Sequence, residues 1–75
     1  MNISKFLSFT ASEFHCDQTL LTSETPIREL PNWNSLNALV FISEIKREFG
    51  VILSSKDLTK VVTLQDLYDL IQHRN

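Results

Sequence analysis

The chain is expected to be all-α, a small four-helix bundle with three longer helices and one short one. Three observations predict this. Large apolar residues recur at helical spacing in three stretches. Residues suited to starting and stopping helices bound those stretches. No alternating run is long enough to demand a sheet, Val61-Val62-Thr63 being the one β-prone step. Residues 1–75 are expected to form one domain. A chain this short buries only about 60% of the surface its unfolded form exposes, which leaves little room for a deep catalytic cleft.

Residues 3 to 15 read as the first helix. Ile3, Phe6, Leu7, Thr10 and Phe14 share one face, and Phe9 lies at its border. Residues 17 to 34 read as a long loop, broken by Thr22, Ser23, Thr25, Pro26 and Pro31. Its apolar residues, Leu20, Leu21, Ile27, Leu30 and Trp33, predict a loop packed over the core, with Trp33 as an anchor. Loops this long inside small domains are uncommon and often functional.

Residues 35 to 49 read as the longest helix, stopped by Gly50, the single glycine of the chain, as a left-handed cap. Ala38, Phe41, Ile42, Ile45 and Phe49 cluster on one side. Leu36, Leu39 and Val40 project to roughly the other. A bundle helix needs only one apolar face. The second patch is therefore covered either by the long loop or by a partner or attached group.

Ser54 with Asp57 resembles a capping box and predicts a short helical turn through Leu58 to Lys60. Val61 and Val62 are expected to cross the core. Thr63 with Asp66 repeats the capping signal, and a last helix runs to about His73 with Leu64, Leu67, Tyr68 and Ile71 on one face.

Composition excludes several functions. Nine acids and seven bases give a net charge of −2, with no basic stripe, which argues against nucleic-acid binding and a helix-turn-helix reading. The single cysteine, Cys16, fits a reducing compartment. His15, Cys16 and Asp17 are metal-ligand types, but three consecutive side chains do not converge easily on one ion, so no metal site is expected. No stretch approaches the roughly 20 apolar residues that span a bilayer. Met1-Asn2-Ile3-Ser4-Lys5 lacks the pattern of a signal peptide, so a cytoplasmic protein is expected.

The stretch Asn32-Trp33-Asn34-Ser35-Leu36 joins the long loop to the longest helix. An oxygen on Ser35 can reach the first free N–H groups of that helix, and an N-cap role is the simplest reading of the pattern alone. The positive end of the helix dipole also lies here, so a phosphate ester on the Ser35 hydroxyl would be electrostatically favoured.

These residues resemble the acyl carrier protein family. The matching segment is Trp33-Asn34-Ser35-Leu36, followed by a helix closing on Glu48-Phe49-Gly50-Val51. Upstream, Thr25-Pro26-Ile27-Arg28-Glu29-Leu30 is similar to the step that precedes the family's serine. Downstream, Leu53 with Leu58, then Val62-Thr63-Leu64-Gln65-Asp66-Leu67, resembles its short third and capped last helices. The three-residue motif is weak by itself, and the full register over nearly the whole chain is much more specific.

The resemblance implies that a phosphopantetheinyl transferase moves 4′-phosphopantetheine from coenzyme A onto Ser35. The thiol of that arm would hold an acyl or aminoacyl group as a thioester. The chain would be a carrier and not an enzyme, a monomer serving acyl-loading and acyl-processing enzymes. Asn34, Leu36, Asn37, Leu39 and Val40 would form the surface those partners read. Two departures bear on this. Asn34 stands where the family usually has Asp, which removes a charge a transferase could read. The long helix carries only Glu44 and Glu48 as acids, beside Lys46 and Arg47, and Val40 occupies a position that is often acidic. Dedicated partners in a specialised pathway are implied over a general fatty-acid role. The alternative is a helical interaction domain of carrier fold that has lost the modification.

Overall fold

The computed structural model describes residues 2–74. Met1, part of the N-terminal segment read above for a leader, and Asn75 lie outside them. Among the described residues four α-helices follow in order: α1, Ile3–Glu13; α2, Ser35–Phe49; α3, Ser55–Leu58; and α4, Leu64–Arg74. No strand occurs among the described residues. The expected fold class is observed, with three long helices and one short one.

Helix α1 ends two residues earlier than its apolar pattern suggested. Asn2 starts it, accepting a hydrogen bond from the Lys5 N–H at 2.9 Å. At the other end His15 takes a left-handed conformation, φ 56°. The Cys16 N–H then reaches Ala11 O and the His15 N–H reaches Ser12 O, the double closure of a Schellman turn. No glycine marks this stop, so the sequence pattern overran it. Phe6, Thr10, Ala11 and Phe14 are buried. The Thr10 hydroxyl donates to Phe6 O, which removes the cost of burying it.

The loop expected over 17–34 contains two short 3₁₀ turns, Gln18–Leu20 and Ile27–Glu29. Leu21, Ile27 and Leu30 are buried as expected, but Leu20 is exposed. The loop is strapped to the start of α4. The Ile27 N–H donates to Val62 O, the Leu64 N–H to Thr25 O and the Gln65 N–H to Ser23 O, around an isolated antiparallel bridge between Pro26 and Thr63. The β-prone step thus pairs once and no further. This pairing also corrects the expectation for Val61 and Val62. Val61 enters the core, while Val62 offers its carbonyl to the loop and leaves its side chain exposed.

Helix α2 spans the expected residues. Gly50 closes it at φ 72°, its N–H donating to Lys46 O. Phe41 and Ile45 are fully buried, with Ala38, Ile42 and Phe49 packed at the edge. The core is strongly aromatic. Phe9 packs on Phe41 and Phe49, with centroids 5.8 and 5.0 Å apart, and Phe14 meets Phe41 edge-on at 5.0 Å. Such pairs add about 0.5–1.5 kcal/mol beyond area burial. Phe9 is half-buried at the border of the core, as expected, and from there bridges α1 and α2.

Helix α3 is shorter than expected, a single turn ending at Leu58, with the capping box of Ser54 and Asp57 complete. Thr63 and Asp66 form the same reciprocal pair at α4. Leu64, Leu67 and Ile71 are fully buried and Tyr68 packs at the edge, as the spacing predicted. Arg74 folds back to Asp57 through two hydrogen bonds, 2.7 and 2.9 Å, and ties the end of α4 to α3.

Candidate functional site at the start of helix α2

The start of α2 is built by three asparagines. Asn32 takes φ 64°, a left-handed turn that Asn tolerates better than most residues. Its side-chain N–H donates to Phe14 O at 3.2 Å, which ties the turn to the end of α1. Asn37 Nδ2 donates to Asn32 O at 2.7 Å, which ties the same turn to α2. Asn34 is the N-cap: its Oδ1 accepts the Asn37 N–H at 2.8 Å and its carbonyl accepts the Ala38 N–H. Trp33 packs on Phe14 in a tilted ring contact, centroids 5.6 Å apart, and anchors the loop between these points.

The cap reading for Ser35 is thereby corrected. Ser35 is the first residue inside the helix, and its neighbour does the capping. The Ser35 side chain is exposed and makes no hydrogen bond among the described residues. The N–H groups of Ser35 and Leu36 have no intrahelical acceptor. No acid occupies the first turn, and Lys46 and Arg47 occupy the last, so the positive end of the α2 dipole is left without a carboxylate. From Leu30 to Ser43 the chain carries no ionisable side chain at all.

The second apolar patch is not covered by the loop. Leu36, Leu39 and Val40 are 69%, 54% and 47% exposed. Asn34 lies beside them, exposed. Asn37 is half-buried and its amide is occupied by the Asn32 carbonyl, so it braces the junction.

Ser35 also borders an open cleft of about 420 Å³ between α2, α3 and the loop, which the size of the chain did not predict. Trp33, Ala38, Leu39 and Leu58 supply its apolar lining, and Arg28, Ser55 and Thr59 its polar one. Arg28 was not singled out in the sequence. Its only sequence signal is a cation set among Ile27, Leu30 and the prolines, and its reach to α3 depends on the fold. Its guanidinium donates to Leu58 O at 2.7 Å and to Val61 O at 3.0 Å.

His15 forms the left-handed turn, and Asp17 accepts from the Thr19 N–H, which holds its carboxyl below the usual range. No helix among the described residues is long and apolar enough to cross a membrane.

The sequence matches the family described as "Phosphopantetheine attachment site" over residues 4–71. It is also 26% identical over 72 residues to an acyl carrier protein of Thermosynechococcus vestitus, an alignment covering 96% of this chain and 89% of that protein. Both matches imply a covalently attached 4′-phosphopantetheine group. The junction fits such a group, because a phosphate ester needs an accessible, unengaged hydroxyl and gains from a helix start without acids. Matched over nearly its whole length, the chain belongs to the phosphopantetheine-binding carrier family, of which acyl carrier proteins are members.

Proposed function

We propose that Ser35 is the attachment residue and that residues 1–75 act as one carrier domain, tethering acyl or aminoacyl intermediates and presenting them to partner enzymes. The observation that supports this best is the free hydroxyl of Ser35 at a helix start that another residue caps. When attached, the arm supplies a thiol that holds the cargo as a thioester. The chain's own residues do the rest. Asn34 keeps the first turn closed and leaves Ser35 within reach of a phosphopantetheinyl transferase. The N–H groups of Ser35 and Leu36 and the dipole of α2 favour the phosphate charge. Leu36, Leu39 and Val40, flanked by Asn34 and Asn37, form an uncharged surface for that transferase and for the acyl-loading and acyl-processing enzymes. On this reading the chain is not an enzyme, and it works as a monomer in the cytoplasm.

The test is the intact mass of the protein after incubation with coenzyme A and a broad-specificity phosphopantetheinyl transferase, beside a Ser35→Ala variant. A gain of one phosphopantetheine in the native chain and none in the variant is expected. No gain with several transferases, on protein shown to be folded, would overturn the reading and leave a docking domain of carrier fold without an arm.

A further inference from the structure

We infer that the cleft beside Ser35 is selective for acyl groups bearing an oxygen acceptor beyond the thioester carbonyl, a ketone or a carboxylate, and that Arg28 is the residue that selects them. This rests on the carrier reading and names the class of cargo. Arg28 lines the same cleft as Ser35. Its guanidinium is oriented by two carbonyls, Leu58 O and Val61 O. A guanidinium has five N–H donors, so those two bonds leave three for another acceptor. No carboxylate pairs with Arg28 among the described residues; the ion pairs there are Arg47 with Glu44 and Arg74 with Asp57. The neighbouring Glu29 borders a different cleft, with Cys16 and Pro31.

The cleft therefore combines apolar walls with an oriented, unneutralised cation. Two hydroxyls accompany it. The Ser55 hydroxyl makes no hydrogen bond among the described residues, and the Thr59 hydroxyl donates to Lys56 O at 2.6 Å and keeps its acceptor capacity. A saturated acyl chain laid here would strip water from Arg28 and return no hydrogen bond. A group with a ketone or carboxylate would replace that water with a charge-assisted bond, and the fixed fork lowers the ordering cost.

The experiment loads the full chain, through a broad-specificity transferase, with coenzyme A itself and with its butanoyl, acetoacetyl and succinyl thioesters, acyl groups of equal carbon count. The Arg28 Nε–H resonance and the Leu58 and Thr59 amides are followed by heteronuclear NMR, and thioester hydrolysis is timed in the native chain and in Arg28→Gln and Arg28→Lys variants with checked melting curves. The acetoacetyl or succinyl form should shift the Arg28 resonance, and whichever does so identifies a ketone or a carboxylate as the acceptor. The butanoyl form and the bare arm should leave the resonance in place. Arg28→Gln should speed hydrolysis of the oxygenated thioester about threefold, the size of a partly exposed charged contact, and leave the butanoyl thioester unchanged. Arg28→Lys should fall between. A resonance unmoved by either oxygenated group, or moved equally by the bare arm or by butanoyl, would overturn the inference while the carrier reading stands. Failure of any form to load would overturn both.

Discussion

The starts of α2 and α3 use the same residue type in opposite ways. At α3, Ser54 is the cap: its Oγ accepts from the Asp57 N–H at 3.2 Å and donates to Asp57 Oδ2 at 3.1 Å. Asp57 also accepts the Ser54 N–H and pairs with Arg74. At α2, Asn34 takes the cap, no carboxylate enters the first turn, and Ser35 is left with its hydroxyl free. The first serine is closed into a network of four groups and the second is open to an outside reagent. At a helix start, the neighbour that satisfies the backbone decides whether a serine hydroxyl is engaged or free, and the charge of the first turn differs between the two starts as well. Both α3 and α4 carry their own anion in the first turn, Asp57 and Asp66, whereas α2 has none.

The largest effect should come from exchanging the roles. Ser35→Ala is expected to abolish the mass gain on treatment with transferase and coenzyme A while leaving the melting temperature within error. Ser54→Ala and Ser55→Ala should retain the full mass gain. A modified Ser35→Ala chain would end the comparison, because a second serine would then be equally available.

Next in size is the cap itself. Asn34→Ala should destabilise the fold by about 1 kcal/mol, read from urea unfolding, because the Asn37 N–H loses its acceptor. Asn34→Asp should keep the cap and hold stability at or slightly above the native value, since the new carboxylate faces the positive end of the helix. Its modification rate by a transferase with a basic docking face should rise, whereas a transferase reading the apolar patch should show no change.

Ser54→Ala should cost about 1 kcal/mol by the same unfolding measurement, and Ser55→Ala less than about 0.5 kcal/mol. Equal costs for the two would contradict the assignment of Ser54 as the cap.

The smallest effect is the pH dependence. Hydrogen bonds from Arg74 and the Ser54 N–H hold the Asp57 carboxyl well below its ordinary value, and the N–H groups of Thr63 and Val62 do the same for Asp66. Both are depressed in the fold, so their contributions are fully present above the unfolded carboxylate value of about 3.9 and are lost as pH falls further, through the folded values. Glu13 runs the other way: burial, then the nearby Glu44, raises its pKa, so its protonation favours the fold. The net expectation is a melting temperature nearly flat from pH 7 to about 5 that falls below about 4, with Asp57→Asn flattening the fall.

Several features were legible before the structure because they are local. The Ser54–Asp57 and Thr63–Asp66 pairs lie three residues apart, and Gly50 is free of the steric penalty on a left-handed cap. The apolar faces of α2 and α4 follow from periodicity alone. The misreadings share a different cause. The end of α1 rests on His15 in a conformation that no pattern flags. Val62 turns outward because its carbonyl pairs with Ile27, which is far away in sequence. Ser35 looked like a cap because Ser and Asn both suit that position, and only the backbone path decided between them.

The sequence by itself determined the fold class, the bounds of α2, the location of a hydroxyl at its start and the resemblance that gives this hydroxyl a meaning. Each of these depends on residue types and spacings within a few turns of chain. The tertiary structure alone decided that the Ser35 hydroxyl is free, that Leu36, Leu39 and Val40 are uncovered, and that Arg28 stands in the same cleft. These depend on where the loop lies over the bundle, and that is set by long-range bonds from Arg28 to Leu58, Asn32 to Phe14 and Ile27 to Val62. Such bonds join partners whose closeness is a property of the packed chain, so no local pattern of residues encodes them.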